Sequence, residues 1–275
     1  MTGILAQLVA LAAHGNHYLE SSKLMEKFFP EHSTFKFCNS VKFVTFKKPL
    51  FSSKLKTLSA GDNPTDWFNY LKDDGCLGFK LYYQHSEDQN FGKDYKMAGF
   101  VGGGGTWYIQ TIYKSFSYFW TSKWEGFEDE NKNMGWNVSY GRAMHKFRQK
   151  EEATRTSHEV HSALKETLMS ISEFSSKHEL DHFKEQFDNA IRILDHPKPN
   201  EQYFHQDLLP KGHLNLEEEQ LLYAASSAWV FGGMGSWNDL GFESEEEHQQ
   251  YETLSERLYD DIIQSIISAV NTKHK

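Results

Sequence analysis

The sequence predicts an α+β fold with an N-terminal helix, an antiparallel, aromatic-rich β-sheet, and an all-helical C-terminal half packed on the sheet. Three observations predict it. Apolar residues recur at helical spacing near the N-terminus, short β-rich runs with a two-residue period fill residues 34–124, and helical periodicity returns after residue 133. We place the boundary in the charged stretch 128–133, which gives a sheet region, 1–128, and a helical region, 129–275, as separate units or as one continuous domain.

The first half is expected to begin with a helix over residues 2–29, interrupted near Gly15-Asn16. Lysine and phenylalanine then alternate over 34–37 and 41–46, as in half-buried strands. Asp62 or Asn63, followed by Pro64, predicts the start of a short helix. Further strands are predicted at 77–83, 97–101, 106–113 and 116–124, with Gly102 to Gly105 as a hairpin loop.

The second half contains several stripes of apolar residues at helical spacing. The first holds Trp136, Tyr140, Met144 and Phe147. The second runs from Val160 to Phe174, and the phase of Leu180 requires a break near Ser175. A His-rich connection with His196, His205 and His213 precedes a helix over about 216–231, and Ser244 with Glu247 predicts the start of a last helix that ends near 271.

Composition restricts the class of protein. The formal charge is −9 and lysines and arginines form no basic run, so a nucleic acid partner is not expected. Two cysteines make no disulfide framework, which favours a reducing, cytoplasmic location. The apolar run 4–13 lacks the basic residues of a signal peptide. The uncharged stretch 221–238 is glycine- and serine-rich, so we interpret it as a buried helix and expect no membrane partner.

One short motif has the spacing of a metal site. His178, Glu179 and His182 form an H-E-x-x-H, which on a helix places two imidazoles one turn apart, with a glutamate positioned to activate a zinc-bound water. The motif resembles that of thermolysin-like zinc metallopeptidases, in which a later glutamate is the third ligand. Over residues 178–201 the resemblance implies His178, His182 and Glu201 as zinc ligands and Glu179 as general base.

The same residues also fit an ordinary helix start. Ser176 and Glu179 have capping-box spacing, and the helix that follows would bury an apolar stripe from Leu180 to Leu194 and turn both histidines toward solvent. We favour this interpretation. It requires no cofactor, and zinc is the alternative.

Aromatic residues suggest a binding surface. Strands 106–113 and 116–124 carry more rings than one core face can absorb. These are Trp107, Tyr108, Tyr113, Phe116, Tyr118, Phe119, Trp120 and Trp124. A second candidate is the Gly-rich stretch that contains Trp229, Gly232, Gly233, Gly235 and Trp237, which is either a ligand-binding loop or a tight turn packed under two indoles.

The leading hypothesis is therefore a soluble, non-catalytic protein that binds a partner protein or a small molecule through these two surfaces. The alternative is a zinc-dependent hydrolase built on the H-E-x-x-H.

Overall fold

A computed structural model describes residues 1–23, 28–48, 55–87, 93–100, 103–128, 134–148, 155–201 and 203–272. Its helices are α1 (Gly3–Ser21), α2 (Pro64–Asp73), α3 (Asp94–Met97), α4 (Ser157–Lys177), α5 (Asp181–Leu194), α6 (Leu216–Ser227) and α7 (Glu245–Asn271). Its strands are β1 (Cys38–Lys47), β2 (Lys56–Gly61), β3 (Gly78–Gln84), β4 (Thr106–Ile112), β5 (Phe116–Glu128), β6 (Met134–Arg142) and β7 (Phe147–Arg148). The α+β prediction is confirmed.

The seven strands form one mixed sheet. Its order is β2-β1-β6-β5-β4-β3, and β7 pairs with β5. All pairs are antiparallel except β1 with β6, which run parallel. The prediction of an entirely antiparallel sheet is therefore wrong at its centre, where β6 enters between β1 and β5.

The helix predicted from residue 133 is wrong, because these residues form strand β6. Trp136, Val138 and Tyr140 share one face of that strand, and the last two are buried. A spacing of four residues fits a helix turn, yet it also fits two periods of a strand. The predicted boundary at 128–133 consequently falls between two paired strands, and the sheet continues to Arg148.

Several smaller differences have local causes. Helix α1 continues through Gly15 and Asn16, where the missing side chain of Gly15 makes room for the Phe79 ring. Residues 33–35 form a 3-10 turn instead of a strand. Of the expected strand 97–101, Met97 is the last residue of a short helix, α3, residues 98–100 form a turn, and Val101 lies outside the described residues. Strand β2 was not predicted. Gly102, in the predicted hairpin loop, lies outside the described residues, as do 24–27 in the predicted N-terminal helix.

The remaining helices form where they were predicted, except that α6 ends at Ser227 and not near residue 231. Asn63 caps α2, and Ser244 caps α7 by accepting a hydrogen bond from the backbone of Glu247. A break after α4 separates it from α5, as the phase of Leu180 required. None of the described helices combines the length and apolar character needed to span a membrane.

The helices cover one face of the sheet, which we call the inner face. Residues 5–16 of α1 are all buried, because this helix contacts β3 and β4 as well as α2 and α7. Trp67 of α2 stacks on Phe43 of β1 at a ring-centroid distance of 4.1 Å and contacts Trp120 of β5 at 5.1 Å. Helices α4 to α7 pack around one another, with α7 also against β3. We call the opposite face, which these helices leave open to solvent, the outer face.

Candidate functional site

The outer face carries a concave groove with a volume of about 410 Å³. It lies above β6, between β1 on one side and β5 and β4 on the other. The residues that line it are Val44, Phe46, Tyr108, Phe119, Thr121, Ser122, Lys123, Ser139, Gly141, Arg142, Ala143 and Met144. We call this feature the sheet groove. Its volume is within the range of small-molecule sites, about 300–1,000 Å³.

The walls of the groove are apolar and are held by neighbouring rings. Phe119 contacts Tyr82 at 5.0 Å, Tyr108 at 5.8 Å and Phe147 at 4.7 Å between ring centroids. Phe46 forms part of the opposite wall and is 37% exposed. A partly exposed ring cluster on rigid strands is a preformed surface, since the backbone of each strand is fixed by its ladder of hydrogen bonds.

Small residues form the floor. Gly141 of β6 is in register with Val44 of β1 and Thr121 of β5, and Ser139 is in register with Lys42 and Lys123. A Cβ atom on Gly141 would lie 3.3 Å from the Phe46 ring. The groove therefore exists because glycine and serine follow each other along one face of β6 while larger side chains stand on the flanking strands.

The tryptophans predicted on the sheet surface occupy the other face. Trp120 is fully buried, and its indole N–H donates to Thr111 Oγ1 at 3.1 Å. Trp107 packs on Tyr83 at 4.9 Å, and Trp124 packs on Trp136 at 6.0 Å, both partly buried. Tyr108 and Phe119 are half-buried on the outer face, whereas the Trp120 side chain is buried on the inner face and cannot reach a partner at the surface.

The Trp229–Trp237 stretch is a packed turn. Trp237 is fully buried and donates to Ser255 Oγ at 2.7 Å, and Trp229 donates to the Phe231 carbonyl at 2.7 Å. Gly232 lies so close to Gly99 that a Cβ on Gly99 would be 1.9 Å from the Gly232 oxygen. Gly233 and Gly235 are exposed at the tip, and Gly235 has a φ of 82°. These contacts are those of a tight turn packed under two indoles.

The H-E-x-x-H does not lie on one helix. His178 follows the end of α4, Glu179 has a φ of 56°, and His182 belongs to the first turn of α5. The helical spacing that would bring the two imidazoles together is therefore interrupted. The predicted capping box is also wrong, because Leu180 is the N-cap of α5 and makes no side-chain cap hydrogen bond.

Two of the three proposed zinc ligands, His178 and Glu201, make other contacts in the structure. The His178 ring packs between Phe174 at 4.4 Å and Phe242 at 4.9 Å, so it is not turned wholly to solvent. Glu201 forms an ion pair with Lys198 at 2.8 Å, which lowers the pKa of that carboxyl. In the described ranges, no three His, Cys, Asp or Glu side chains are grouped so that they could hold a metal ion.

A buried polar cluster joins α1 to the His-rich connection. The carbonyl of Asp207 accepts hydrogen bonds from the Nε2 atoms of His14 (3.2 Å) and His32 (2.7 Å), so both imidazoles carry a proton on Nε2. The Ser33 hydroxyl donates to the Asp207 carboxylate and contacts His205 Nδ1 at 2.7 Å. Because the hydroxyl proton is directed to the carboxylate and away from the histidine, this arrangement does not activate Ser33 as a nucleophile.

Burial has a large effect on this cluster. It lowers the pKa of His14 to about 3, with neighbouring His32 adding to the shift, and it lowers the pKa of His32 and His205. Hydrogen bonds from Ser33 lower the pKa of the Asp207 carboxyl, against the effect of burial. The negative Asp207 and the neutral histidines connect α1, residues 33–35 and the segment 203–214 by hydrogen bonds. The role of this cluster is therefore structural.

A smaller cavity, of about 90 Å³, lies between β3, α3 and α7. His85 Nδ1 lies 3.0 Å from the Asp94 carboxylate on its wall, and Tyr83 donates to the same carboxylate at 3.1 Å. Burial raises the pKa of Asp260, which also lines it. The cavity is well below the size of a small-molecule site, so the sheet groove is the better candidate.

Comparisons of the chain with protein-family models, with curated proteins and with solved structures find no match.

Proposed function

We propose that this protein is a non-catalytic binding protein whose sheet groove holds the apolar part of a small molecule. The observation that carries the proposal is a groove of about 410 Å³ with aromatic walls on the sheet face that the described helices leave uncovered. Antiparallel sheets commonly show solvent a polar face. Apolar side chains retained on such a face usually mark a binding site.

The shape of the groove supports a small molecule over a flat protein interface. Small residues of β6 form the middle of its floor. Larger side chains on the neighbouring strands, including Phe46 and Phe119, form its walls. Burial of apolar surface contributes about 25 cal/mol per Å² to the free energy of binding. A ligand enclosed on two sides buries more of its surface per atom than one on an open face, and therefore binds more tightly. A preformed groove also avoids the entropy loss of ordering a loop.

The proposal assigns binding and no reaction. Within the described part of the chain, the residues that line the groove include serine, threonine and lysine but no histidine or carboxylate that could serve as general base.

The experiment is a titration with N-phenyl-1-naphthylamine, a neutral aromatic probe whose fluorescence rises in apolar surroundings. The wild-type protein is expected to bind the probe saturably. Thr121→Trp should weaken binding at least about tenfold, because an indole on the floor fills the groove. Thr106→Trp is the matched control, since Thr106 is an exposed residue of β4 that does not line the groove. Absence of binding to the wild type, or equal binding by both variants, would overturn the proposal.

A further inference from the structure

Two lysines, one on each side of β6, lie in a single row at one end of the sheet groove. Lys42 of β1 and Lys123 of β5 are both in register with Ser139 of β6, so the three residues lie side by side on the outer face. With about 4.8 Å between neighbouring strands, the two lysine Cα atoms are roughly 10 Å apart. Two ammonium groups on stems of this length can therefore approach one group placed above Ser139.

Both lysines are accessible. Lys42 is exposed. Lys123 pairs with Glu125 at 2.9 Å, but the two side chains are 72% and 59% exposed. An ion pair between such exposed groups contributes little, so an anionic ligand can compete for Lys123.

The part of the chain that contains the sheet has a net charge opposite to that of the whole chain. Residues 1–150 contain 19 Lys and Arg against 14 Asp and Glu, whereas residues 151–275 contain 10 against 24. The described residues that line the groove include Lys123 and Arg142 and no carboxylate. The guanidinium of Arg142 lies over the Tyr118 ring at 4.2 Å, so the accessible positive charge at the groove is that of the lysine row.

The apolar part of the groove extends from this row in one direction. Beyond Ser139 come Gly141, then Ala143 and Met144, between Phe46 and Phe119. A ligand that fits has an apolar body over Gly141 and a negative group above Ser139. We infer that the sheet groove binds an anionic amphiphile, a molecule with a hydrocarbon or aromatic body and one acidic head group held by Lys42 and Lys123.

This inference rests on the proposed function, and the test separates the two. Dodecanoate and dodecanol, which differ in the head group, are used below their aggregation concentrations to displace N-phenyl-1-naphthylamine from the wild type. Dodecanoate is expected to displace the probe at a concentration on the order of tenfold lower, from two exposed charge interactions. In the double variant Lys42→Gln, Lys123→Gln the two ligands should become equal, because dodecanoate loses its preference.

The control is the double variant Lys80→Gln, Lys114→Gln, which removes the same charge from β3 and from the turn between β4 and β5. Neither lysine lines the groove, so this variant should keep the preference for dodecanoate. Added salt should reduce that preference, since exposed charges are screened. Equal displacement by both ligands in the wild type would overturn the inference while leaving the groove as a binding site. A wild type that does not bind the neutral probe would overturn both.

Discussion

The side-chain amide of Asn16 pairs with both backbone groups of Phe79, accepting from its N–H at 2.7 Å and donating to its carbonyl at 3.0 Å. Asn271 repeats the arrangement two residues along the same strand, at Leu81, with distances of 2.8 and 2.9 Å. Strand β3 is at one end of the sheet order, so its free edge would otherwise be open to pairing with another chain. Helices α1 and α7 thus each close part of this edge with one asparagine.

Replacing either asparagine should lower the free energy of unfolding. Asn16→Ala leaves the Phe79 backbone groups without their amide partner, at a cost of about 1–3 kcal/mol in the free energy of unfolding. Urea denaturation measures it. Asn39→Ala is the control, because Asn39 is exposed and its side-chain amide donates to the Asn137 side chain at 2.9 Å, so a change within about 0.5 kcal/mol is expected. Equal effects of the two substitutions would contradict the edge-closing role.

The burial of Trp237 predicts that its hydrogen bond contributes to stability. Ser255→Ala removes the acceptor of the buried indole N–H, so the free energy of unfolding should fall by about 1–3 kcal/mol. Ser162→Ala, at an exposed position of α4, should be neutral or slightly stabilising because alanine favours helix. Thermal denaturation of both variants measures the difference. An unchanged melting temperature for Ser255→Ala would contradict the packed-turn interpretation.

Stability should fall as the pH drops below the ordinary pKa of histidine. Burial lowers the pKa of folded His14 from 6.5 to about 3, so between these values the unfolded chain binds a proton that the folded chain does not. The stabilisation from neutral His14 is complete above pH 6.5 and is lost as the pH falls, by at most about 1.4 kcal/mol per pH unit. His32 and His213 face His14 as like charges when protonated, and Asp207 opposes them.

The measurement is the unfolding free energy between pH 6.5 and 5 for the wild type and two variants. His14→Gln should reduce the dependence on pH and leave the part that His32 and His205 contribute, since burial lowers the pKa of both. His158→Gln should leave it unchanged, because the His158 side chain is 84% exposed. A wild-type stability that is constant over this interval would contradict the assignment.

The two cysteines are free, and Cys76 should be chemically inert in the native protein. Burial raises the pKa of its thiol to about 12, which lowers the thiolate fraction near pH 8 on the order of a thousandfold relative to a pKa of 9. In a Cys38→Ser variant, Cys76 should react slowly with a disulfide reagent until a denaturant is added. Immediate reaction of the native variant would contradict its burial.

Local patterns predicted most of the helices, because caps and a 3.6-residue period are contained in a short stretch. Ser244 marks the start of α7 and Asn63 that of α2, and both side chains make the expected cap hydrogen bonds. The parallel pairing of β1 with β6 could not be predicted in this way, since it joins residues such as Val41 and Val138 that are far apart in sequence. This pairing joins β1 and β2 to the other strands in one sheet.

The sheet groove illustrates the same limit. Alternation indicated that adjacent rings such as Phe119 and Trp120 lie on opposite faces, but the choice of inner face depends on where α1 and α2 pack. Phe43 and Phe46 are an odd number of residues apart, which was a signal that one of them faces outward. That Phe46 would stand across Gly141 from Phe119 depends on the strand order and was not predictable from local sequence.

The most direct test of the central claim is a backbone amide chemical-shift titration of the isotope-labelled protein with N-phenyl-1-naphthylamine. If the sheet groove is the binding site, the largest changes will be at Thr121, Ser139 and Gly141, with smaller ones at Val44 and Met144. Changes concentrated around the cavity of His85 and Asp94, or no saturable change anywhere, would contradict the claim.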